Sequence, residues 1–408
     1  MINIKELKNN FNNYSKLLKY KNVDLKILEE LIILYDKLTN YSIKIENNQQ
    51  IINKFSKIKL DKTKIEELKK IKQIIKNLKN DLENLKIIYQ QKISFIPNVP
   101  RGTIPVGNDE KDNKVIKVVN LKNAIINKKV ISHEIIGEKK DLFSRELGNK
   151  ITGSKFVLYK GKGLLLKRAI ENFLFDLHTK NNYIPFHLPV IINKKTLFNS
   201  GQLPKFKEDL YKLDENNFYL SPTAEVQLLN IFSNQVIDVT NPVKYCALSE
   251  CFRLEAGAAG KINHGLLRLH QFSKLELFWF TNQDKENEYF NFLINDVTNI
   301  LELLKIPYRI IELCGGDLGF SSAKTYDIEG WLPSQKRYLE LSSISLCTDF
   351  QSRRAKIRDI NKNLVYTYNA SGIAIDRLMA IIIENYQDEN NNIMIPEILK
   401  KYLDFTII

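Results

Sequence analysis

The stretch CFRLEAGAAGKINHGLLRLHQFSKLE, residues 251–276, predicts two antiparallel strands joined by the small-residue loop AGAAG. Arg253 and Glu255 are two positions apart, which on a strand places both side chains on one face. Three later side chains recur at even spacing and therefore also share one strand face: Arg268, Phe272 and Glu276. An antiparallel return would set that face beside the first pair. The pattern indicates one concave polar surface, although a surface hairpin with ordinary cross-strand ion pairs is the simpler alternative.

The chemistry of these side chains fits a nucleotide bound together with an amino acid. Guanidinium groups suit phosphate oxygens through forked hydrogen bonds, and an aromatic ring can stack on a purine. Carboxylates can hold an ammonium group or the exocyclic amine of adenine. Neither GxxxxGK[ST] nor GxGxxG occurs in the sequence, so any nucleotide must be held by side chains.

Outward from this stretch, residues 111–408 mix helical segments with short strands. The segment GLLLKRAIENFLFDLHTKN has helical character, whereas NFYL, VKYCAL and KLELFWF are typical of strands. Loops, rather than regular βαβ units, separate these segments. We therefore expect an α+β domain with a mainly antiparallel sheet flanked by helices.

Residues 1–96 contain neither glycine nor proline. Within them, apolar side chains recur at alternating steps of three and four. The first seam comprises Leu31, Leu34, Leu38, Tyr41, Ile45, Ile52 and Phe55, with polar Asn48 at one position; the second comprises Leu68, Ile71, Ile75, Leu78, Leu82, Leu85 and Tyr89. The polar segment SKIKLDKTK, residues 56–64, separates them. Heptad seams of this kind predict an antiparallel helical coiled-coil hairpin that forms an arm.

The helical pattern ends at FIPNVPRGTIPVG, where three prolines and two glycines follow one another closely. Such residues end a helix and mark a connecting segment. We therefore expect a helical arm over residues 1–96, a linker over 97–110 and the α+β domain over 111–408.

The charge of the chain favours an anionic partner. The chain has a formal net charge of +14, and residues 1–100 hold 20 Lys, no Arg and 11 acidic residues, a net charge of +9. Lysines without interleaved aromatic residues indicate contact with the phosphates of a nucleic acid rather than reading of its bases. Two alternatives remain open: a solvated coiled coil whose lysines only keep it soluble, and a coding bias that enriches Lys, Asn and Ile together.

Several classes of protein are excluded by composition. No uncharged stretch approaches the roughly 20 residues needed to span a bilayer, and the polar amino terminus lacks the apolar core of a signal peptide, so we expect a cytoplasmic protein without membrane contact. The four cysteines are too scattered for a disulfide framework. The five histidines show no zinc-ligand spacing. We expect no zinc, and any metal should arrive with a substrate.

The 251–276 stretch resembles motif 2 of class II aminoacyl-tRNA synthetases, in the form found in seryl-tRNA synthetases of bacterial type. Further resemblances occur in the order of that family: GQLPKF (201–206), SPTAEV (221–226), GDLGFSSAKTYDIE (316–329), ELSS (340–343), DFQSRR (349–354) and NASGIAIDR (369–377). The predicted hairpin is similar to the amino-terminal arm that holds serine tRNA in that family. NYIPFHLPVII resembles motif 1, with Pro189 at the matching position, which implies a homodimer.

The resemblance implies a role for each matching side chain. The catalytic pair would be Arg253, on the α-phosphate of ATP, and Arg377, on its γ-phosphate. Glu255 would take the adenine amine, Phe272 would lie under the adenine ring, and Arg268 would make a further phosphate or carboxylate contact. The implied serine-binding residues are Thr223, Glu225, Glu276 and Ser371. The stretch that would meet ATP is Glu340, Leu341, Ser342 and Ser343, of which Glu340 and Ser343 would hold Mg²⁺.

The resemblance therefore implies an ATP-dependent ligase that activates L-serine as seryl-adenylate and transfers it to the 3′ end of serine tRNA. Two alternatives are weaker. One is a paralogue that binds tRNA through its arm without aminoacylation, and the retained charged residues disfavour it. The other is a ligase that loads an amino acid onto a carrier protein, as armless relatives do, and the two heptad seams disfavour it.

Overall fold

The computed structural model describes residues 1–55, 62–119, 130–213, 217–256 and 265–408. The chain divides into two compact units, Met1–Val99 and Pro100–Ile408. Two predicted features fall mainly outside the described residues: the polar segment between the two seams, and the AGAAG loop.

The first unit is helical. Its helices are α1 (Ile4–Asn9), α2 (Phe11–Lys19), α3 (Leu25–Phe55) and α4 (Lys62–Ser94). The long helices α3 and α4 pack against each other in antiparallel fashion, because Glu30 pairs with Lys92 at 2.6 Å and the Tyr35 ring lies 6.3 Å from that of Tyr89. Every residue of the two predicted seams is buried or half-buried. The predicted coiled-coil hairpin is therefore confirmed.

The second unit contains eight α-helices and fifteen strands in its described part. The helices are α5 (His133–Lys139), α6 (Arg145–Ile151), α7 (Gly161–Lys180), α8 (Lys194–Ser200), α9 (Glu225–Asn230), α10 (Glu286–Leu303), α11 (Phe350–Ala355) and α12 (Ile375–Asn385). The strands are β1 (Lys114–Val119), β2 (Phe143–Ser144), β3 (Leu158–Tyr159), β4 (Ile184–Phe186), β5 (Ile191–Asn193), β6 (Lys212–Leu213), β7 (Phe218–Leu220), β8 (Val236–Ile237), β9 (Val243–Phe252), β10 (Gln271–Thr281), β11 (Tyr308–Glu312), β12 (Lys324–Leu332), β13 (Arg337–Thr348), β14 (Arg358–Asp359) and β15 (Tyr366–Ala374).

An eight-stranded sheet organises this unit, in the order β1-β11-β12-β13-β15-β10-β9-β4. All neighbouring strands in it are antiparallel except β4 and β9, which are parallel. The remaining strands form small sheets of two or three strands. The expected α+β fold with a mainly antiparallel sheet is confirmed.

Helices cover both faces of the large sheet. Helices α7, α10 and α12 pack on one face, where Leu277 and Trp279 of β10 join the main hydrophobic core. Helices α9 and α11 pack on the other face, against Phe278 and Phe280. Because side chains alternate along a strand, this second face of β10 also carries residues 272, 274 and 276, towards the start of the strand. The aromatic end of the face is packed, and its other end is polar.

No described helix is both long and apolar enough to span a membrane.

Candidate active site

Strand β10 lies at the centre of the candidate site because its two neighbours bring distant residues to it. In the pairing with β9, Phe272 lies opposite Cys251 and Glu276 opposite Ala247. In the pairing with β15, Glu276 lies opposite Ser371 because the register skips Gly372. A residue skipped in this way forms a β-bulge, which re-aims the side chains beside it. The bulge therefore sets the Ser371 hydroxyl beside the Glu276 carboxylate.

The antiparallel return predicted for residues 251–276 is confirmed, but the strand assignment of three side chains is wrong. Strand β9 ends at Phe252 and β10 begins at Gln271, so Arg253, Glu255 and Arg268 lie beyond the strand ends. At Glu255 the backbone is not extended, because its φ is 52°. Arg268 nevertheless meets Glu255, since its Nε lies 2.5 Å from the Glu255 carboxylate.

Arg253 is held at the edge of the sheet by contacts on two sides. Its guanidinium carbon lies 5.3 Å from the centre of the Phe272 ring, a cation–π arrangement. Its Nε donates to the main-chain carbonyl of Pro222 over 3.2 Å, one residue before Thr223. Arg253 therefore joins the aromatic ring to the segment that carries the predicted serine-binding residues.

The predicted serine-binding residues lie together; Thr223, Glu225 and Glu276 are buried and Ser371 is half-buried. Thr223 Oγ1 donates to Glu276 Oε2 over 2.6 Å, and Glu225 lies on the first turn of α9, two residues further on. Lys274, which sequence reasoning missed, lies among them: its ammonium is 2.5 Å from Glu276 Oε2 and 3.1 Å from Ser371 Oγ. The even spacing of Lys274 with Phe272 and Glu276 was the signal that could have identified it.

The pKa of Glu225 is raised strongly above its usual value. Burial, together with the neighbouring Glu276 carboxylate, raises the pKa of Glu225 to about 7, although Lys274, Gln351 and Arg253 each act in the opposite direction. Gln351 Nε2 donates to Glu225 Oε1 over 2.5 Å. Gln351 is a second residue that sequence reasoning missed, because no local spacing connects it with a partner 126 positions away.

Arg377 and Glu340 form the other side of the site. Arg377 Nη1 donates to the main-chain carbonyl of Glu340 over 2.7 Å and to its carboxylate over 3.2 Å. Arg377 Nε donates to the carbonyl of Leu267 over 3.1 Å. Arg377 thus connects α12 with β13 and with the segment that carries Arg268.

The two sides act on each other electrostatically. Desolvation alone would raise the pKa of Glu340, but Arg377 lowers it, and Arg253 and Lys274 contribute in the same direction. Arg253 also acts on Glu225. Because such interactions weaken with distance, Arg253 and Lys274 both lie near Glu225 and near Glu340. The predicted side chains converge on one region of the sheet.

The two residues between Glu340 and Ser343 present no free side chain to this region. The Leu341 side chain is 1% exposed and belongs to the main hydrophobic core. The Ser342 hydroxyl is buried and donates to the carbonyl of Ser371. Leu341 and Ser342 can therefore offer only main-chain atoms to a nucleotide.

The oxygen atoms near Glu340 suit a hard divalent cation. Asp327 lies opposite Ser343 in the pairing of β12 with β13, and the Ser343 hydroxyl hydrogen-bonds to it. Asp327 Oδ1 is buried and has no hydrogen-bond partner among the described residues. Burial and the Glu340 charge raise the pKa of Asp327 well above its usual value. An unpartnered carboxylate oxygen beside a second carboxylate and a hydroxyl matches the oxygen ligands that Mg²⁺ takes.

Within the described ranges, no group of three or more His, Cys, Asp or Glu side chains is arranged to hold a metal ion. A cation beside Glu340 and Ser343 would therefore need further oxygen ligands from phosphates and water, which is how proteins usually bind Mg²⁺ with a nucleotide.

Comparison with known proteins shows the family of this chain. The family model of the tRNA synthetase class II core domain (G, H, P, S and T) matches residues 206–386. A serine–tRNA ligase of Mycoplasma mobile is 42% identical over 405 residues, which cover 96% of each chain.

Two solved structures are also similar to this chain. Seryl-tRNA synthetase from Pyrococcus horikoshii, complexed with ATP, has a TM-score of 0.93 and 29% identity, with 100% of this chain and 99% of that chain covered. The cytoplasmic serine–tRNA ligase of Naegleria fowleri, in complex with AMP, has a TM-score of 0.87 and 26% identity, with 97% and 95% covered. Since similarity of this extent covers the arm as well as the catalytic core, the chain belongs to the serine–tRNA ligase family.

Proposed function

We propose that this chain activates L-serine with ATP and transfers the seryl group to the 3′ end of serine tRNA. The observation that carries the proposal is the position of Arg253. Its guanidinium carbon lies 5.3 Å from the centre of the Phe272 ring, and its Nε donates to the main-chain carbonyl of Pro222, beside Thr223. A guanidinium between the proposed adenine-binding ring and the proposed serine-binding residues is suited to the α-phosphate of a forming adenylate. The names of the relatives, serine–tRNA ligase, support the same reaction.

In the first step the carboxylate of serine attacks the α-phosphorus of ATP. The new bond joins the carboxylate oxygen to phosphorus, and the bond to the β-phosphate oxygen breaks, so that pyrophosphate leaves. The substrate supplies its own nucleophile, and the protein needs no activated Ser, Cys or Lys. Arg253 would stabilise the charge that builds on the α-phosphate oxygens, and alignment and electrostatics would supply most of the rate.

In the serine pocket, the proposed contacts follow the chemistry of each side chain. Glu225 would hold the ammonium group of serine. Glu276 and Ser371 would meet its hydroxyl, and Thr223 would complete the wall of the pocket. The burial of Glu276, whose Oε1 has no partner among the described residues, supports a role in binding a donor from the substrate.

At the nucleotide end, Phe272 would lie under adenine and Glu255 would accept from its amine. Arg268 already pairs with Glu255 and would add a contact to phosphate. Arg377 would bind the γ-phosphate. Glu340 and Ser343 would hold Mg²⁺ with the triphosphate, and the ion would offset negative charge on the phosphate oxygens.

In the second step a terminal ribose hydroxyl of tRNA attacks the seryl carbonyl, and AMP leaves. We propose that the helical arm holds serine tRNA through its lysines. Its net charge of +9 over residues 1–100 supports binding to phosphates. The proposal also takes residues 1–96 as the tRNA-binding arm, 97–110 as a linker and 111–408 as the aminoacylation domain, and it assigns the enzyme to the cytoplasm, where translation consumes charged tRNA.

A homodimer through the motif 1 segment is part of the proposal. Three apolar side chains there are exposed in the single chain: Ile184 (53%), Val190 (37%) and Ile191 (52%). Apolar side chains exposed together favour an interface. Gln227 Nε2, on α9, donates to the carbonyl of Pro189 over 2.9 Å, so an interface there would adjoin the helix that carries Glu225.

A tRNA-free exchange assay tests the proposal. The purified chain is incubated with ATP, Mg²⁺, labelled pyrophosphate and serine, threonine or alanine. We expect label to enter ATP with serine and at least about 100-fold more slowly with alanine. Charging of serine tRNA is then measured with the same preparation. Binding of tRNA without serine-dependent exchange would reject the enzyme assignment.

A further inference from the structure

Lys274 has no role in the proposed reaction, yet it lies inside the serine pocket. Its side chain is 7% exposed. A lysine ammonium has three N–H donors, and three acceptors surround this one: Glu276 Oε2 at 2.5 Å, Thr223 Oγ1 at 3.0 Å and Ser371 Oγ at 3.1 Å. Every donor is therefore used within the pocket, and the ammonium has none left for a substrate.

These bonds commit some atoms of the pocket and leave others available. Thr223 Oγ1 donates to Glu276 Oε2 and accepts from Lys274 and from the Glu225 amide, at 3.3 Å. One donor and two lone pairs are all that a hydroxyl has, so Thr223 is fully committed. Glu276 Oε2 receives two donors, whereas Glu276 Oε1 is buried without a partner among the described residues. That oxygen is the acceptor left uncommitted for a donor from the substrate.

Ser371 supplies a hydrogen-bond donor beside this acceptor. It lies directly across from Glu276 in the strand pairing, and Lys274 donates into its oxygen. Because the oxygen already accepts from an ammonium, the hydroxyl proton of Ser371 is directed towards another acceptor. The pocket then offers one acceptor, Glu276 Oε1, beside one donor, the Ser371 hydroxyl. An alcohol, which donates one hydrogen bond and accepts another, is the complement of this pair.

We propose that Lys274 is a positioning residue that sets the hydrogen-bond polarity of the pocket and so makes it select an amino acid with a side-chain hydroxyl. This inference rests on the proposed function. Without the ammonium, the buried Glu276 carboxylate loses its ion-pair partner, and Ser371 Oγ loses the donor that directs its proton away. Neither the acceptor nor the donor of the pair would then be held in place, so the pocket would no longer favour an alcohol over a methyl group.

The test compares amino-acid discrimination in Lys274→Met, a substitution that keeps the length of the side chain and removes its charge. In pyrophosphate exchange we expect kcat/KM for serine to fall about 100-fold, mostly through KM, while kcat/KM for alanine and the KM for ATP stay within about threefold. The ratio of kcat/KM for serine to kcat/KM for alanine then falls by more than about tenfold. Lys244→Met is the matched control, because its ammonium lies over the Trp279 ring at 4.3 Å, outside the pocket; its ratio should be unchanged.

A gain of activity provides a second readout. The side chain of 2,3-diaminopropionate carries an ammonium where serine carries a hydroxyl, so it can supply the charge that Lys274→Met removes. We expect the variant to activate it about tenfold better, relative to alanine, than the unmodified protein does. General loosening of the pocket would not produce this gain.

The outcomes separate this inference from the proposed function. If the unmodified protein shows no serine-dependent exchange, the proposed function fails. If the unmodified protein does exchange, two results overturn only the role of Lys274. One is that Lys274→Met keeps the serine-to-alanine ratio of kcat/KM. The other is that kcat/KM for serine, kcat/KM for alanine and the KM for ATP all worsen equally. Should Lys274→Met be insoluble, Lys274→Gln removes the same charge and is judged by the same ratio.

Discussion

Arg377 holds Glu340 by two hydrogen bonds from one nitrogen, one to the main-chain carbonyl at 2.7 Å and one to the carboxylate at 3.2 Å. The first bond fixes the position of strand β13, and the second fixes the direction of the carboxylate. A guanidinium in this position is oriented before the proposed contact with the γ-phosphate forms, which would reduce the entropy lost on binding a nucleotide.

Removal of the Arg377 guanidinium should therefore stop adenylate formation without unfolding the protein. We expect Arg377→Ala to lower serine-dependent exchange at least about 10³-fold, which corresponds to roughly 4 kcal/mol of transition-state stabilisation. The melting temperature, measured by calorimetry, should fall by only a few degrees. Arg337→Ala is the control, since this exposed arginine lies at the start of β13, the strand that carries Glu340. Exchange at the full rate in Arg377→Ala would show that the triphosphate is bound elsewhere.

Serine binding should strengthen as pH rises through about 7, because the pKa of Glu225 is raised to about 7. The groups that face this carboxylate are Glu276, Lys274, Gln351 and Arg253. Below that pH the protonated acid cannot hold the serine ammonium, so the KM for serine should increase about tenfold per pH unit. The measurement is KM between pH 5.5 and 8.5, and Glu225→Gln should bind serine weakly with no such dependence. A KM that is flat in the unmodified protein would exclude Glu225 as the ammonium ligand.

The same carboxyl group predicts how the stability of the serine-free protein depends on pH. Its folded pKa, about 7, lies above its usual value of 4.5, so the folded state binds the proton more tightly than the unfolded state does. The free energy of unfolding should therefore fall as pH rises from 4.5 to 7. Denaturant titrations at several pH values measure this slope, and Glu225→Gln should reduce it. An equal slope in both proteins would assign it to other groups.

The bulge at Gly372 should be intolerant of a side chain. A Cβ there would lie 2.9 Å from a terminal carbon of Leu275 and 3.2 Å from its carbonyl oxygen. We expect Gly372→Ala to destabilise the fold by roughly 1–3 kcal/mol and to raise the KM for serine, because Ser371 is displaced. Urea titration and exchange kinetics check the two effects. Gly102→Ala, where a Cβ would meet nothing within 4 Å, should change stability by less than about 0.5 kcal/mol.

The lysines of α4 should contribute to tRNA binding and not to adenylate formation. We expect Lys72→Glu with Lys76→Glu to weaken tRNA binding and to reduce its salt dependence by about one unit of slope for each phosphate that is no longer neutralised. Filter binding at several salt concentrations measures both effects, and exchange should stay unchanged. Lys305→Glu with Lys362→Glu makes the same charge change in the second unit. Equal effects of the two pairs would favour non-specific attraction over a tRNA-binding arm.

The sequence predicted those features of the fold and site that depend on residues close together in the chain. The heptad seams rest on local periodicity, and each seam residue, from Leu31 to Phe55 and from Leu68 to Tyr89, lies on a buried or half-buried side of its helix. The even spacing of Phe272 and Glu276 likewise placed both on one face of β10. A repeat of this kind depends only on the backbone geometry of one element.

Features that depend on long-range pairing were not predictable. The hydrogen bond between Gln351 and Glu225 joins helices α11 and α9, which come together only when the chain folds. Arg253, Glu255 and Arg268 lie outside the strands because β9 ends at Phe252 and β10 begins only at Gln271. The position of Ser371 opposite Glu276 depends on the skipped Gly372. Each of these follows from tertiary packing, which one sequence does not encode in any local repeat.

The alternation along β10 also restricts how this chain can evolve. The ring of Phe272, the ammonium of Lys274 and the carboxylate of Glu276 sit at every second position of one central strand. One codon inserted or deleted in that strand just after Glu276 would turn all three to the opposite side of the sheet at once, and one inserted among them would separate them. Descendants of this gene can exchange letters there one at a time, whereas gains and losses of length must accumulate in the connecting loops.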